Sequence, residues 1–291
     1  MTTATQATTK TIDTDGATVT YDVRPGTSTD LPPLFLIGSP MGAGGFTTLA
    51  SHFPERTIVT YDPRGVERST AHDPKAAITP EVQADDVHAV IEAVGGGPVD
   101  LFASSGGAVV TLALIAKYPG DLRTAIAHEP PLASIVPDRE HALAATKVIN
   151  DEYMAGGFPA GMARFMQVVM HQGPFTADTL SGPAPDPGMF GMPTEDDGNR
   201  TDLMLGHSVK WLTTYEPDFQ AVKAAPTRIV IAVGAGSHGE LAQRAGEESA
   251  RRLGTEAVRF PGDHGGFLGG EYGQTGEPDA FAAKLRQVLA G

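Results

Sequence analysis

The sequence predicts an α/β fold: a doubly wound, mainly parallel β-sheet covered by helices on both faces. Short apolar runs rich in β-branched residues alternate with helical patterns, which is typical of such a sheet. The 291 residues, 41% of them hydrophobic, suffice for one large core and a smaller satellite domain. The predicted strands span 17–23, 33–37, 57–61, 99–103, 123–128, 228–233 and 257–260.

Four helices are predicted between or after these strands. The first has Thr79 as N-cap and Pro80 at its first position, and apolar residues then repeat at helical spacing until Gly95. The second, 106–118, is almost entirely apolar, which indicates a helix buried against a sheet. The other two, 240–253 and 279–289, are amphipathic.

The alternation of strands and helices stops between about residues 132 and 224, where Met, Gly, Pro and acidic residues dominate. We interpret this segment as an inserted helical cap, so that 1–132 and 224–291 form the two parts of the core and 133–223 the cap. The cap holds seven of the nine methionines, and methionine suits an adaptable apolar pocket. The alternative, which we favour for Met162, Met166 and Met170, is the buried stripe of one helix. Residues 172–199 are predicted to be a long loop.

Composition and charge exclude several classes of function. A net charge of −14 and a pI near 5.0, without a cluster of Lys and Arg, argue against nucleic-acid binding. The first seven residues lack the basic and apolar regions of a leader, and no run is apolar and long enough to span a membrane. We therefore expect a cytoplasmic protein. The absence of cysteine excludes disulfides, thiolate metal sites and a cysteine nucleophile.

The most informative motif is 99–107, where a strand runs directly into a helix through a serine flanked by small residues. Such a turn holds its serine at a strained backbone angle, which requires small residues two positions before and after it. Ser105 meets this requirement with Ala103 and Gly107, whereas Ser104 would have the bulky Phe102. Ser105 is therefore the predicted nucleophile. An ordinary helix-capping serine is the alternative.

Two further segments complete a candidate site. In 34–42 a strand ends in a tight turn, and in this architecture that turn and the residue after the nucleophile supply the N–H groups of an oxyanion hole. Pro40 has no N–H, so we expect Ser39 and Gly106 to be the donors, and the Ser39 hydroxyl to be a further candidate. In 260–267, His264 is flanked by glycines and lies in the last loop before the C-terminal helix, which is the place for a base that must reach a serine on a distant strand.

These three segments, in this order, resemble the α/β-hydrolase superfamily, and 61–69 resembles its D-x-R-G-x-G-x-S segment. The resemblance covers the chain outside the cap and implies an α/β-hydrolase fold in which Asp62 and Arg64 brace loops. The sequence departs from the family pattern in four places: Ile37 replaces His before the oxyanion glycine, Ala103 and Glu67 replace Gly, and the usual acid is missing.

The missing acid is the main departure, because the family normally has Asp or Glu a few residues after the 228–233 strand. Here that stretch reads Gly-Ala-Gly-Ser-His-Gly, and Glu240 is expected at the start of the next helix. The fold offers one other place, the end of the preceding strand, which is followed by Glu129. Glu129 is therefore the predicted triad acid, with Asp263 ranked below it because it should point away from its neighbour. The alternative for Glu129 is a carboxylate that braces the hinge of the cap.

Together these residues predict a serine hydrolase of carboxylic esters or lactones, whose acyl-enzyme mechanism calls for no cofactor or metal. A neutral, small to medium substrate is expected from the acidic charge and the apolar cap, and the sequence leaves the oligomeric state open. Two other classes stay open: a cofactor-free lyase or oxygenase that uses His264 only as a base, and a non-catalytic ligand-binding module.

Overall fold

A nine-stranded, mostly parallel sheet forms the centre of the protein in the computed structural model, which describes residues 6–291. Strands β3, β4 and β6 to β9 run parallel, whereas β1, β2 and β5 pair antiparallel at one edge. Along the sheet the order is β1-β2-β4-β3-β6-β7-β8-β9, with β5 paired to β2. The strands are β1 Thr8–Thr14, β2 Ala17–Arg24, β3 Leu34–Ile37, β4 Ile58–Tyr61, β5 Thr70–Ala71, β6 Val99–Ser104, β7 Leu122–His128, β8 Arg228–Gly234 and β9 Val258–Phe260.

All seven predicted strands are confirmed to within a residue at each end, and so is the doubly wound α/β fold. Strands β1 and β5 were not predicted. Strand β1 is rich in threonine and largely exposed, so it lacks the apolar run that identified the others. Its pairing partner β2 follows after Asp15 and Gly16, and Gly16 has a φ of 77°. An Asp-Gly pair is a hairpin signal that could have revealed this strand.

Helices cover both faces of the sheet, and the four predicted helices are confirmed as α2, α3, α7 and α8. The side chain of Thr79 caps α2 by accepting a hydrogen bond from the Val82 N–H at 3.4 Å. Within residues 6–291, no helix combines the length and hydropathy needed to cross a bilayer. The α-helices of the core are α1 Thr47–Ser51, α2 Pro80–Ala93, α3 Gly106–Lys117, α7 Leu241–Leu253 and α8 Pro278–Leu289.

The segment between β7 and β8 contains the remaining α-helices, α4 Arg139–Val169, α5 Val209–Thr214 and α6 Phe219–Ala224, and a π-helical turn at Met204–Ser208. Helix α4 is broken at Gly157, whose φ of 73° is not helical and which lies two residues before Pro159. Residues 172–199 contain no helix or strand except a 3₁₀ turn at Pro187–Phe190. The division into core and cap at 132/133 and 223/224 stays a prediction.

The methionine stripe that we expected on one helix is only partly present. Met162 is buried and Met166 is half-buried, but 55% of Met170 is exposed. The stripe prediction is wrong for Met170 because α4 ends at Val169, so that the side chain at its terminus lies in solvent.

A buried ion pair attaches helix α2 to the loop after β4. Both Arg64 and Asp86 are almost fully buried, and Nε and Nη2 of the guanidinium each lie 2.7 Å from a carboxylate oxygen. Thr14 donates a further hydrogen bond to Asp86 at 2.6 Å. Such a bidentate pair restrains both position and angle, so the loop and the first turns of α2 move as one unit.

The substitution Asp86→Asn is expected to lower the free energy of unfolding by about 3–5 kcal/mol, because it leaves the Arg64 guanidinium buried without a counter-charge. Urea unfolding monitored by circular dichroism measures this loss. Asp151→Asn provides the control, since it breaks the exposed Lys147–Asp151 pair of α4 and should leave the midpoint within error of the wild type. Equal effects of the two substitutions would contradict the assignment.

Candidate active site

The predicted nucleophile lies in a strained turn between β6 and α3. Ser105 follows the last residue of β6, precedes the first of α3 and has a φ of 57° and a ψ of −126°. A non-glycine residue in this region costs roughly 1–3 kcal/mol, so the surrounding packing must hold it there. A Cβ atom on Gly107 would lie 2.7 Å from the Ile37 carbonyl oxygen, which shows why this flank must be small.

The neighbouring Ser104 lies on the opposite side of this turn. It is the last residue of β6, it is buried, and its hydroxyl is 3.3 Å from Nδ1 of His128 inside an aromatic cluster. Burial lowers the pKa of His128 to about 4, so this imidazole is neutral at neutral pH. Of the two serines, only Ser105 occupies the turn that the motif predicts.

Backbone hydrogen bonds continue one residue past the ends of β6 and β7 and bring the candidate residues side by side. The Ser105 N–H donates to the His128 carbonyl at 2.9 Å, and the Glu129 N–H donates to the Ala232 carbonyl at 2.9 Å. Glu129 is the first residue after β7 and has a φ of 51°, so it too is held in the left-handed region. Ser105 thus leaves β6, and Glu129 leaves β7, at the carboxyl ends of these two adjacent strands.

The carboxylate of Glu129 binds the ring of His264. Its Oε2 atom lies 2.7 Å from His264 Nδ1, and its Oε1 atom accepts a hydrogen bond from the Gly234 N–H at 2.8 Å. Glu129 is fully buried, whereas 41% of the His264 side chain is exposed. Contact through Nδ1 leaves Nε2 as the ring atom free to exchange a proton with another group.

The pair shifts the pKa values of both partners. Burial raises the pKa of Glu129, but the hydrogen bond and the charge of His264 outweigh this effect and lower it to about 2. Burial lowers the pKa of His264, but the hydrogen bond and the charge of Glu129 outweigh it and raise the pKa above its ordinary value. Glu129 is therefore ionised at neutral pH.

The two other carboxylates near His264 do not bind its ring. Asp263 accepts a hydrogen bond from the Gly265 N–H at 2.9 Å, as expected for a side chain that points away from its neighbour. Glu240 is the N-cap residue of α7. Burial and the charge of Glu129 raise the pKa of Glu240.

The two predicted oxyanion-hole residues are in contact. A Cβ atom on Gly106 would collide with the Ser39 carbonyl oxygen, so the two backbones touch. Within residues 6–291, neither the Ser39 N–H nor the Gly106 N–H donates a hydrogen bond to a protein acceptor. The suggestion that the Ser39 hydroxyl is a third donor is wrong, because this hydroxyl already donates to Oε1 of Gln83 at 2.7 Å.

The loop after β3, which carries Ser39, is named the oxyanion loop for its predicted role. The loop after β4 supports it, in agreement with the bracing role that the resemblance implies. Asp62 accepts hydrogen bonds from the Ala43 N–H at 2.8 Å and from Arg68 Nε at 2.6 Å. Arg64 binds Asp86 and not a group of the site. Glu67, which replaces a glycine of the family pattern, retains a φ of 46°.

The structure thus brings together Glu129 with His264, and Ser39 with Gly106, beside the turn that carries Ser105. Ser105 and His264 do not hydrogen-bond to each other in the described part of the chain. Sequence reasoning missed Gly234 and Gln83. No local signal identifies either, because each acts on a residue more than forty positions away.

One group of three residues in 6–291 has the spacing of a metal site, and it lies outside this site. The group lies near the end of α2 and the start of β7, at the amino ends of the parallel strands, and consists of His88, Glu92 and Asp121. Nδ1 of His88 is 2.8 Å from a carboxylate oxygen of Asp121, and this hydrogen bond accounts for their proximity.

Comparison with known proteins finds the same fold throughout. Residues 32–221 match the model of the alpha/beta hydrolase fold family. An uncharacterized hydrolase of Bacillus subtilis, YraK, is 27% identical over 265 residues, covering 88% of this chain and 89% of its own. A thermophilic esterase from Thermogutta terrifontis superimposes with a TM-score of 0.65 at 19% identity and covers 98% of both chains. The enol-lactonase from Burkholderia xenovorans gives 0.65 at 16% identity, covering 97% of this chain and 100% of its own.

The substitution Glu129→Gln is expected to lower the pKa of His264. The carboxylate stabilises the protonated ring, and an amide of the same shape removes that charge, so the proton is lost at lower pH. Titration of the ring C–H signals by NMR measures the shift, and His264→Asn assigns the signal. Asp263→Asn is the control and should produce a smaller shift. An unchanged midpoint in Glu129→Gln would show that the carboxylate does not control the ring.

Proposed function

The chain belongs to the alpha/beta hydrolase fold family, and from that premise we propose that it is a serine hydrolase of small to medium, neutral carboxylic esters or lactones. Ser105, His264 and Glu129 form its triad. The observation that carries this proposal is the Glu129–His264 hydrogen bond of 2.7 Å, at the strand edge where Ser105 occupies its strained turn. A buried carboxylate on Nδ1 is what a catalytic histidine requires to present Nε2 as a base.

In the proposed reaction, Nε2 of neutral His264 removes the proton of Ser105 while the serine oxygen attacks the substrate carbonyl. Glu129 holds the ring in the tautomer with its proton on Nδ1 and stabilises the imidazolium that forms. The imidazolium then protonates the leaving alcohol, or the ring oxygen of a lactone. Water, deprotonated by the same imidazole, attacks the acyl-enzyme and restores Ser105.

The N–H groups of Ser39 and Gly106 are proposed to receive the negative charge on the carbonyl oxygen. Both donors are free of protein acceptors in the described residues, and their backbones are in contact. Donors held in place before the reaction stabilise the oxyanion without the free energy of reorganising them. The strain at Ser105 serves the same purpose, because it keeps the nucleophile out of the strand and next to these donors.

The proposed substrate class follows from the protein's charge and from the esterase and lactonase structures with the same fold. The known relatives of this fold include an esterase and an enol-lactonase, and both names describe hydrolysis at an ester carbonyl. A net charge of −14 disfavours anionic substrates. A panel of p-nitrophenyl esters of graded chain length and a parallel panel of lactones separate the two substrate types.

The substitution Ser105→Ala is expected to abolish ester hydrolysis and labelling by a fluorophosphonate, while the fold is retained because alanine fits the turn. Ser104→Ala is the matched control and should retain most of the activity, since Ser104 points into the aromatic cluster. Turnover of p-nitrophenyl acetate and mass spectrometry of the labelled peptide are the measurements. If Ser104→Ala loses activity and Ser105→Ala does not, Ser105 is not the nucleophile. A wild type that the fluorophosphonate does not label would favour a ligand-binding module.

The substitution Glu129→Gln is expected to reduce kcat by about two to four orders of magnitude with KM little changed, because it removes the group that holds the base. His264→Ala should cost at least as much. The controls are Asp263→Asn and Glu240→Gln, whose kcat should fall far less. If one of these controls costs as much as Glu129→Gln, the acid has been misassigned.

Activity is expected to rise with pH through a midpoint above the ordinary histidine value, because only neutral His264 accepts a proton and Glu129 raises its pKa. In Glu129→Gln the residual activity should have its midpoint at lower pH. Profiles of kcat/KM between pH 5 and 9 measure both. A flat wild-type profile would argue against histidine as the base.

A further inference from the structure

The oxyanion loop makes one side-chain contact to a helix that the proposed mechanism does not use. The hydroxyl of Ser39 donates to Oε1 of Gln83 at 2.7 Å. Gln83 lies on the first turn of α2, 44 residues along the chain, and only 1% of Gln83 and 4% of Ser39 are exposed. This bond therefore links the loop after β3 directly to a helix on the face of the sheet.

The Ser39–Gln83 hydrogen bond acts on Ser39, whose N–H direction matters for binding the oxyanion. The Ser39 N–H must point at a developing oxyanion, and the Ser39 side chain is attached to the same Cα atom. A buried hydrogen bond on this side chain restricts rotation of the residue and hence the direction of its N–H. Helix α2 is a firm anchor, because Asp86, one turn after Gln83, forms the bidentate pair with Arg64.

Gln83 also has a feature that packing alone does not explain. Its Nε2 atom is buried and has no hydrogen-bond partner among residues 6–291. An unpaired buried amide costs free energy that an apolar side chain of similar length would avoid. A buried polar side chain with an unpaired group beside a candidate site is expected where the residue serves the site.

We propose that Gln83 is a positioning residue of the oxyanion hole, which holds the Ser39 N–H in place by accepting the hydrogen bond of the Ser39 hydroxyl. This inference rests on the proposed serine-hydrolase function. It assigns to Gln83 no contact with the substrate, so its effect must be confined to the step in which the oxyanion forms.

The test compares Gln83→Met with the wild type in hydrolysis of p-nitrophenyl acetate and in inhibition by an alkyl trifluoromethyl ketone, which adds to the serine and forms an oxyanion. We expect kcat to fall about tenfold, less than the 10²–10³ for removal of a donor outright. The inhibition constant should rise by about the same factor, while KM and the pH midpoint of kcat/KM stay unchanged. A triad defect would move the pH midpoint.

Thr79→Ala is the matched control, because it removes the cap of the same helix end without contacting Ser39. It should lower the melting temperature but leave kcat and the inhibition constant unchanged. If Thr79→Ala reduces both as Gln83→Met does, the effect comes from helix stability and the proposal fails. It also fails if Gln83→Met retains both values, or loses kcat without weaker inhibition.

Ser39→Ala breaks the same bond from the other side and keeps the backbone N–H, so it replaces Gln83→Met if that variant does not fold. The double variant, with both Ser39→Ala and Gln83→Met, should lose no more activity than either single variant, because the two substitutions remove the same interaction. Additive losses would contradict the proposal. Failure of the underlying function is distinguishable, since the wild type itself would then neither hydrolyse esters nor be labelled at Ser105.

Discussion

The candidate site depends on backbone hydrogen bonds that extend one residue beyond the ends of β6 and β7. The Ser105 N–H binds the carbonyl at the end of β7, and the Glu129 N–H binds a carbonyl of β8. Both residues leave their strands at positive φ, at 57° and 51°. Hydrogen bonds to the neighbouring strands thus hold two strained residues at the carboxyl ends of β6 and β7. The same constraint therefore places Ser105 and Glu129.

The position of the acid changes how the charges around the base are arranged. Glu129 follows β7, the strand next to β8, and the last residue of β8, Gly234, supplies an N–H to it. Gln243 stabilises the loop after β8 by donating to the Gly234 carbonyl at 2.9 Å and accepting from the Gly239 N–H at 2.6 Å. One buried carboxylate thereby has both oxygens bonded. Burial raises its pKa, but the hydrogen bond and the charge of His264 outweigh this effect and keep the pKa low.

On the other side of Ser105, close packing of the backbone holds the site in place, whereas hydrogen bonds do so at Glu129. Gly106 and Gly107 lie against the backbone of 37–39, where no side chain would fit. Asp62 and Gln83 then fix the oxyanion loop from two directions, one through the Ala43 N–H and the other through the Ser39 hydroxyl. Both supports come from elements that are themselves joined by the Arg64–Asp86 pair. The loop therefore lies on a rigid frame rather than in solvent, as preorganised donors require.

The features that could be predicted from the amino-acid sequence are those encoded locally. Alternating apolar runs and helix caps predicted the seven main strands and four helices, because these patterns depend on residues close in the chain. The small flanks Ala103 and Gly107 selected Ser105 over Ser104 for the same reason. The polar strand β1 was not predicted, because its pairing with β2, and not its composition, makes it a strand. The folded structure was needed to show that Glu129, rather than Asp263 or Glu240, binds His264, and that the Ser39 hydroxyl donates to Gln83. These contacts join residues 135 and 44 positions apart, and their geometry is set by strand order and by the packing of α2, which no local pattern records.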